Sequence, residues 1–125
     1  MSKSSSRKGE LTEDIDKEGP LDRIRNLLGE ETASNTLSKL NTTNGGEIAL
    51  TLKEIKRKVG SEGLTEFVNN YILFEYLQAK EEYDHGDKEI AQKDLIVAKL
   101  VIREYGGILE TSNLNREVVE KVRQV

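Results

Sequence analysis

The feature that most constrains the fold is a pair of predicted helices between Asn44 and Tyr83. The first helix, ending at Val59, carries a single apolar stripe, whereas the second is apolar on almost every side along LTEFVNNYILFEYL. A helix of that kind must be covered on two sides, either by other helices or by a second subunit. A four-residue turn, GSEG, separates the two, so the segment is predicted to form a buried helix hairpin.

Helical spacing of apolar residues continues on both sides of this hairpin. Two short helices are predicted before it, separated at Gly29, and two follow the turn at residues 84–87. The fold class is therefore predicted to be all-α, a small helical bundle of about five to six helices with a central helix hairpin. Residues 47–52, EIALTL, alternate polar and apolar side chains, so a short β-strand is the alternative there. No internal repeat is evident.

Composition divides the chain into three predicted parts. Residues 1–18 are rich in Ser, Lys, Glu and Asp and are predicted to be a disordered tail. Residues 19–43 form a helical N-terminal arm, and the polar, glycine-containing break at 41–46 marks its boundary. Residues 44–125 form the helical core domain.

Composition also excludes several kinds of site. The 125 residues include no cysteine, which rules out a disulfide framework and a thiolate zinc site and fits a cytoplasmic location. No apolar run approaches eighteen residues, so no membrane span is expected. The single histidine, His85, lies in a turn and lacks the motif context of a catalytic base or a metal ligand. We therefore expect no enzyme activity, no cofactor and no metal.

Charge is segregated along the chain, although the net charge is only −4. Residues 45–60 hold four basic and two acidic side chains, whereas residues 61–89 hold two basic and eight acidic ones. Such segregation favours an oriented surface or head-to-tail contacts. The alternative is an ordinary solvated face on each helix.

Two resemblances to DNA-binding proteins fall within residues 47–77. The stretch LTLKEIKRKVGSEGLTEFV resembles a helix-turn-helix unit, from which it departs at Lys56 and Ser61. The stretch GLTEFVNNYILFEYL is similar to the second helix of ribbon-helix-helix repressors, which carries an apolar dimer face. Together these resemblances imply a homodimer that binds double-stranded DNA.

Candidate site residues follow from the chemistry of DNA contacts and of helix packing. Basic side chains contact DNA phosphates, and amide or hydroxyl side chains form hydrogen bonds with base edges. The candidate DNA-binding residues are therefore Lys53, Lys56, Arg57, Lys58, Thr65, Asn69 and Asn70. Large apolar residues of the second helix are predicted to form the core or a dimer interface, namely Phe67, Val68, Tyr71, Ile72, Phe74, Tyr76 and Leu77.

Two functions are compatible with these patterns. The first is a small, non-catalytic, dimeric DNA-associated protein, such as a repressor, partition factor or packaging accessory of a virus or mobile element. The second is a helical protein–protein interaction or assembly module, such as an adaptor, inhibitor or structural subunit, that does not bind nucleic acid. The basic segment favours the first function, and the acidic net charge favours the second.

Overall fold

The secondary structure of the chain is helical throughout the part that a computed structural model describes, residues 18–124. The helices are α1 (Glu18–Leu28), α2 (Glu30–Lys39), α3 (Gly45–Asp84), α4 (Lys88–Gly106) and α5 (Arg116–Arg123), with a 3₁₀ turn at Thr111–Asn113. The predicted all-α bundle is thus confirmed, and residues 47–52 are helical rather than a strand. The predicted tail lies, apart from Glu18, outside the described residues.

Both ends of α3 are closed by capping interactions that its sequence encodes. The side chain of Asn44 accepts a hydrogen bond from the Glu47 backbone N–H at 3.2 Å, as the predicted cap requires. At the other end the Asp87 N–H donates to the Glu82 carbonyl at 2.8 Å, and the Gly86 N–H donates to the Tyr83 carbonyl at 3.0 Å. These two bonds form a Schellman motif, which satisfies carbonyls that the helix leaves unpaired.

The predicted four-residue turn inside this segment is wrong, because a single residue makes the break. Gly60 has φ 83° and ψ 176°, and the helix resumes at Ser61. Gly63 is helical and is not part of a turn. A glycine is needed there for close packing, since a Cβ atom at this position would lie 2.5 Å from a methyl group of Val59. One residue with positive φ is enough to redirect a helix, so the remaining turn-forming residues stay in the helical conformation.

The backbone at Gly60 resembles that at Gly29, 31 positions earlier, where α1 ends and α2 begins. Gly29 separates α1 from α2 with φ 88° and ψ 154°, close to the values at Gly60. Ile24 and Ile55 occupy equivalent positions before the two bends and are both buried. The equivalent pairs are Leu21 and Leu52, Ile24 and Ile55, Leu28 and Val59, Gly29 and Gly60, and Glu31 and Glu62. At both places a single glycine with positive φ separates two helical segments.

Replacing Gly60 by alanine tests the bend. We expect Gly60→Ala to lower the free energy of unfolding by about 1–2 kcal/mol, because a side chain disfavours this backbone conformation even where it meets no other atom. Urea denaturation measures the change. Gly19→Ala, within α1 and without positive φ, is the control and should be neutral or slightly stabilising. Equal effects of the two substitutions would contradict this interpretation.

A single hydrophobic core joins the predicted arm to the predicted core domain. The most extensive helix contact is between α3 and α4, and α1 packs on α3. Ile24 of α1 and Leu40, just after α2, are fully buried in the same cluster as Leu52 and Phe67 of α3. Residues 19–43 thus contribute to the core that α3 and α4 form. A smaller cluster of Ala79, Ala91 and Leu95 closes the far end of these two helices.

The last helix, α5, begins at a cap and packs its valines into the main core. The side chain of Asn115 accepts a hydrogen bond from the Val118 N–H at 3.3 Å, so Asn115 is the N-cap. Residues 111–113, just before it, form the 3₁₀ turn. Val119 and Val122 of α5 are buried in the main cluster, which explains the valine spacing in this segment.

Candidate functional site

The four basic residues predicted to contact DNA all lie on α3, before the bend at Gly60. Lys53, Arg57 and Lys58 are exposed, and Lys56 is half-buried. Within residues 18–124 none of the four makes an ion pair. Three of them occupy the last turn before the bend, where cations also stabilise the end of a helical segment by interacting with its dipole.

The neighbouring carboxylate, Glu54, is paired with a different helix. Its Oε1 atom lies 3.3 Å from Nζ of Lys39 in α2. The negative charge of Glu54 is therefore offset locally, which leaves the surface of α3 around it cationic.

One apolar side chain shares this cationic face. Leu50 is 64% exposed, and Lys53 and Arg57 follow it three and seven residues later, so the three side chains lie on one side of α3. The opposite side of the helix carries Ile48 and Ile55, which are buried in the core. We call Leu50, Lys53 and Arg57 the ridge.

The three polar candidates after the bend form hydrogen bonds within the chain. The Thr65 hydroxyl lies 3.0 Å from the Ser61 carbonyl and 2.6 Å from the hydroxyl of the buried Tyr105. Asn69 Oδ1 accepts from the backbone N–H of Asn115 at 2.6 Å. The buried Asn70 amide donates to a backbone carbonyl one turn earlier, that of Glu66, at 2.8 Å. Their role in DNA contact stays a prediction, while these bonds give each a structural role.

The side of α3 that is exposed just after the bend is acidic. Glu62 and Glu66 are exposed there, together with Ser61. A recognition helix usually presents its first turns to DNA, where carboxylates would repel phosphates. The cluster of basic side chains on α3 therefore lies before Gly60, and the first turns after it are acidic.

The predicted core-or-dimer residues divide into two groups. Phe67, Val68, Tyr71 and Ile72 are buried within the core of the single chain. Phe74, Tyr76 and Leu77 are only partly buried. The described chain thus covers the first group without a second subunit.

Thr65 provides a test of the structural role of these polar residues. We expect Thr65→Val to lower the free energy of unfolding by about 1–2 kcal/mol, because it leaves the fully buried Tyr105 hydroxyl without its partner. Thermal or urea denaturation measures this change. Tyr105→Phe in the Thr65→Val background should then restore part of the loss, since it removes the unpartnered hydroxyl. No change on the first substitution would contradict the assigned hydrogen bond.

An open groove of about 530 Å³ runs between α2, α3 and α4. Apolar side chains contributed by all three helices line much of it. One of them, Ile90 of α4, is 53% exposed at the edge. The lining residues are Ser34, Leu37, Ser38, Asn41, Tyr71, Phe74, Glu75, Gln78, Ile90, Lys93, Asp94 and Val97.

Carboxylates lie in and beside this groove without matching donors. Buried oxygens of Glu75, Glu82 and Asp94 have no hydrogen-bond partner among the described residues. The other carboxylate oxygen of Glu82 accepts a hydrogen bond from Gln78 at 3.4 Å. Unpartnered buried acceptors are costly, so these groups favour a protonated state or an incoming donor.

The pKa values of these groups are shifted upward. Burial raises the pKa of Glu75 to about 7, although a hydrogen bond from the Tyr71 hydroxyl opposes the shift. Burial also raises the pKa of Asp94 to about 8, and hydrogen bonding with Glu82 and repulsion from Glu75 add to the effect. Burial, reinforced by Glu75 and Asp94, raises the pKa of Tyr71 as well, so its hydroxyl stays protonated and can donate.

Sequence reasoning did not identify this groove, although one signal was present. Glu75 interrupts the apolar run YILFEYLQA, on the face that carries Phe67 and Tyr71. A carboxylate on a buried face indicates either a partner inside the fold or a shifted pKa. Asp94 has no comparable signal, because only the packing of α4 on α3 brings it near Glu75.

The structure shows two further features of residues 18–124. No group of three or more histidine, aspartate or glutamate side chains is arranged to hold a metal ion. No helix there is both long and apolar enough to cross a membrane. The His85 ring instead contacts the Glu81 carbonyl at 2.8 Å, at the end of α3.

The groove and the ridge are thus two surfaces with complementary chemistry, one apolar and acidic and the other apolar and basic. No family model, curated protein or solved structure matches the chain.

Proposed function

We propose that the protein is a non-catalytic helical interaction module of the cytoplasm, an adaptor, inhibitor or structural subunit that binds another protein chain in the groove between α2, α3 and α4. One observation carries the proposal. Exposed apolar side chains and buried carboxylate oxygens without donors lie next to each other in that groove.

Apolar surface and unpartnered acceptors favour the same kind of ligand. Covering Ile90 and Phe74 removes apolar area from water, at roughly 25 cal/mol per Å². A basic side chain or a backbone N–H placed beside Glu75 and Asp94 would supply the missing donors. A protein segment with both apolar and basic side chains meets both requirements.

Co-purification from cells that make the protein naturally tests this proposal. A tagged chain should retain a bound protein in stoichiometric amount, and Ile90→Glu should remove it, because the variant loses an apolar contact and places a charge where binding would strip away its water. Gln92→Glu is the matched control, because Gln92 is exposed on α4 but does not line the groove. Circular dichroism establishes that both variants are folded. Retention of the partner by Ile90→Glu would contradict the proposal.

A second candidate function is DNA association through the basic residues before Gly60. The observation that favours it is the absence of ion pairs at Lys53, Lys56, Arg57 and Lys58 within the described chain. Unpaired cations are available to replace the counterions of a phosphate backbone. The acidic surface after the bend and the net charge of −4 oppose such binding.

A titration on duplex DNA at several salt concentrations tests this second function. If Lys53 and Arg57 each contact a phosphate, Lys53→Gln with Arg57→Gln should lower the slope of log K against log [salt] by about 2. Arg23→Gln with Arg123→Gln changes the net charge equally at two other exposed positions and should leave the slope unchanged. Absence of binding at low salt would exclude this function.

A further inference from the structure

The ridge and the groove lie on the same chain but share no residue. The ridge is on the segment of α3 before Gly60, and the groove uses α2, the segment of α3 after Gly60, and α4. One chain can therefore offer both surfaces at the same time. Two different, complementary surfaces on one molecule are the requirement for a head-to-tail interface.

We infer that the occupant of the groove is the ridge of a second copy of this chain, so that copies associate head to tail. The inference rests on the proposed function, because it uses the same groove and names the partner. It differs from the symmetric homodimer implied by the sequence resemblance, in which both subunits would contribute the same surface.

Apolar complementarity supports this choice of occupant. Leu50 is the most exposed large apolar side chain among residues 18–124, and it lies at the N-terminal end of the ridge. The groove offers Leu37, Phe74 and Ile90 to such a side chain. Its volume of about 530 Å³ admits a leucine and the ends of two neighbouring basic side chains.

Charge complementarity supports the same arrangement. Lys53 and Arg57 follow Leu50 on the ridge and make no ion pair within the described chain. Their ammonium and guanidinium groups would pair with the carboxyl groups of Glu75 and Asp94, each of which has one buried oxygen without a partner among the described residues. Lys93 is the one cation that lines the groove, and it lies beside Asp94. Glu75 and Asp94, whose pKa values are raised, would lose their protons on pairing with the ridge.

This mode of association has a distinct consequence for assembly. Each copy uses its ridge on one neighbour and its groove on another, so growth continues until a ring closes or a filament forms. A variant that lacks either surface stops growth, but it still offers the other surface to a suitable partner. Two variants with opposite defects should therefore form a pair and nothing larger.

Sedimentation velocity of complementary variants tests the inference. The ridge variant is Lys53→Glu with Arg57→Glu, and the groove variant is Ile90→Lys. Arg23→Glu with Arg123→Glu is the control for the change in net charge, since both residues are exposed away from the ridge and the groove. Each protein is measured alone from roughly 1 μM to roughly 1 mM, a range that covers weak association, and the two defective variants are then mixed in equal amounts.

The expected result has three parts. The wild type and the control grow beyond the 14.1 kDa monomer as concentration rises, and salt reduces this growth. The ridge and groove variants each stay monomeric. Their mixture forms a species of twice the monomer mass and no larger one. Circular dichroism checks folding, and Lys53→Gln with Arg57→Gln and Ile90→Ser serve as milder versions if a charged variant does not fold.

Two results would overturn the inference. The first is a wild type that stays monomeric throughout the range, and the second is a mixture in which no pair forms. A wild-type dimer that persists in both variants would also overturn the inference, because such a dimer would form symmetrically through another surface. In each case the proposed function is judged separately, by whether Ile90→Glu releases a bound protein in the co-purification experiment.

Discussion

Phe67→Ala is expected to lower the free energy of unfolding by about 3–5 kcal/mol, the largest effect of any substitution considered for this chain. Phe67 is fully buried, and its ring stacks on that of Tyr71 with a centroid distance of 5.8 Å and an interplanar angle of 15°. Removing the ring forfeits its burial and leaves a cavity where α3 packs against its neighbours. Urea denaturation followed by circular dichroism measures the change.

Phe74→Ala is the matched control, because it makes the same chemical change in the same helix. Phe74 is only partly buried and lines the groove, so we expect a loss of about 1 kcal/mol. Similar losses for the two phenylalanines would contradict the assignment of Phe67 to the core and Phe74 to the groove. A wild-type melting temperature that rises with protein concentration would show that association adds to stability.

Glu75→Gln is expected to stabilise the protein at alkaline pH. The pKa of Glu75 is raised from 4.5 to about 7 in the folded chain, so the folded state holds a proton that the unfolded state has lost. The stabilisation that this group contributes is therefore complete below about pH 4.5 and is lost as pH rises through about 7. At 1.36 kcal/mol per pKa unit, the loss from this one group is about 3–4 kcal/mol.

Unfolding of the wild type and of Glu75→Gln at pH 5 and pH 8.5 measures this effect. Glutamine cannot ionise, so the free energy of unfolding of the variant should exceed that of the wild type by about 3–4 kcal/mol at the higher pH and by less than about 1 kcal/mol at the lower. Asp94→Asn should act in the same direction, because burial raises the pKa of Asp94 as well. Glu66→Gln, at an exposed position of α3, controls for the change in charge. An advantage of Glu75→Gln over the wild type that does not grow between pH 5 and pH 8.5 would contradict the raised pKa of Glu75.

Local signals predicted the helices well. Asn44 and the glycines at 29 and 86 mark where helices begin or end, and apolar spacing located the buried stripe through Ile48, Leu52 and Ile55. These features depend on residues within one or two helical turns of each other, which a sequence displays directly. The shape of the bend at Gly60 was less visible, because Ser61 and Gly63 are compatible with either a turn or a helix.

The candidate site was harder to predict, because it depends on contacts between distant segments. Thr65 meets Tyr105, and Asn69 meets Asn115, only after α4 and α5 have packed on α3. Polar residues on an exposed helix and polar residues that join two helices have the same sequence pattern, so their partners decide which role they play. The groove likewise requires α2, α3 and α4 together.

Head-to-tail association and DNA binding compete for the same ridge. If Lys53 and Arg57 bind phosphates, they are not available to the carboxylates of another chain, and the reverse also holds. Lys53→Gln with Arg57→Gln would weaken both interactions, so that variant alone does not separate them. Ile90 does, because it lies in the groove and outside the cationic segment of α3.

The position at which a bound protein can be crosslinked tests groove binding most directly. A photoreactive phenylalanine analogue is placed at Ile90, at the edge of the groove, or at Gln92, an exposed position on α4 outside it. Illumination in cells that make the protein should give a discrete protein adduct from position 90 and none from position 92. The adduct from position 90 should also persist after nuclease treatment. Equal crosslinking from both positions, or none from position 90, would contradict binding in the groove.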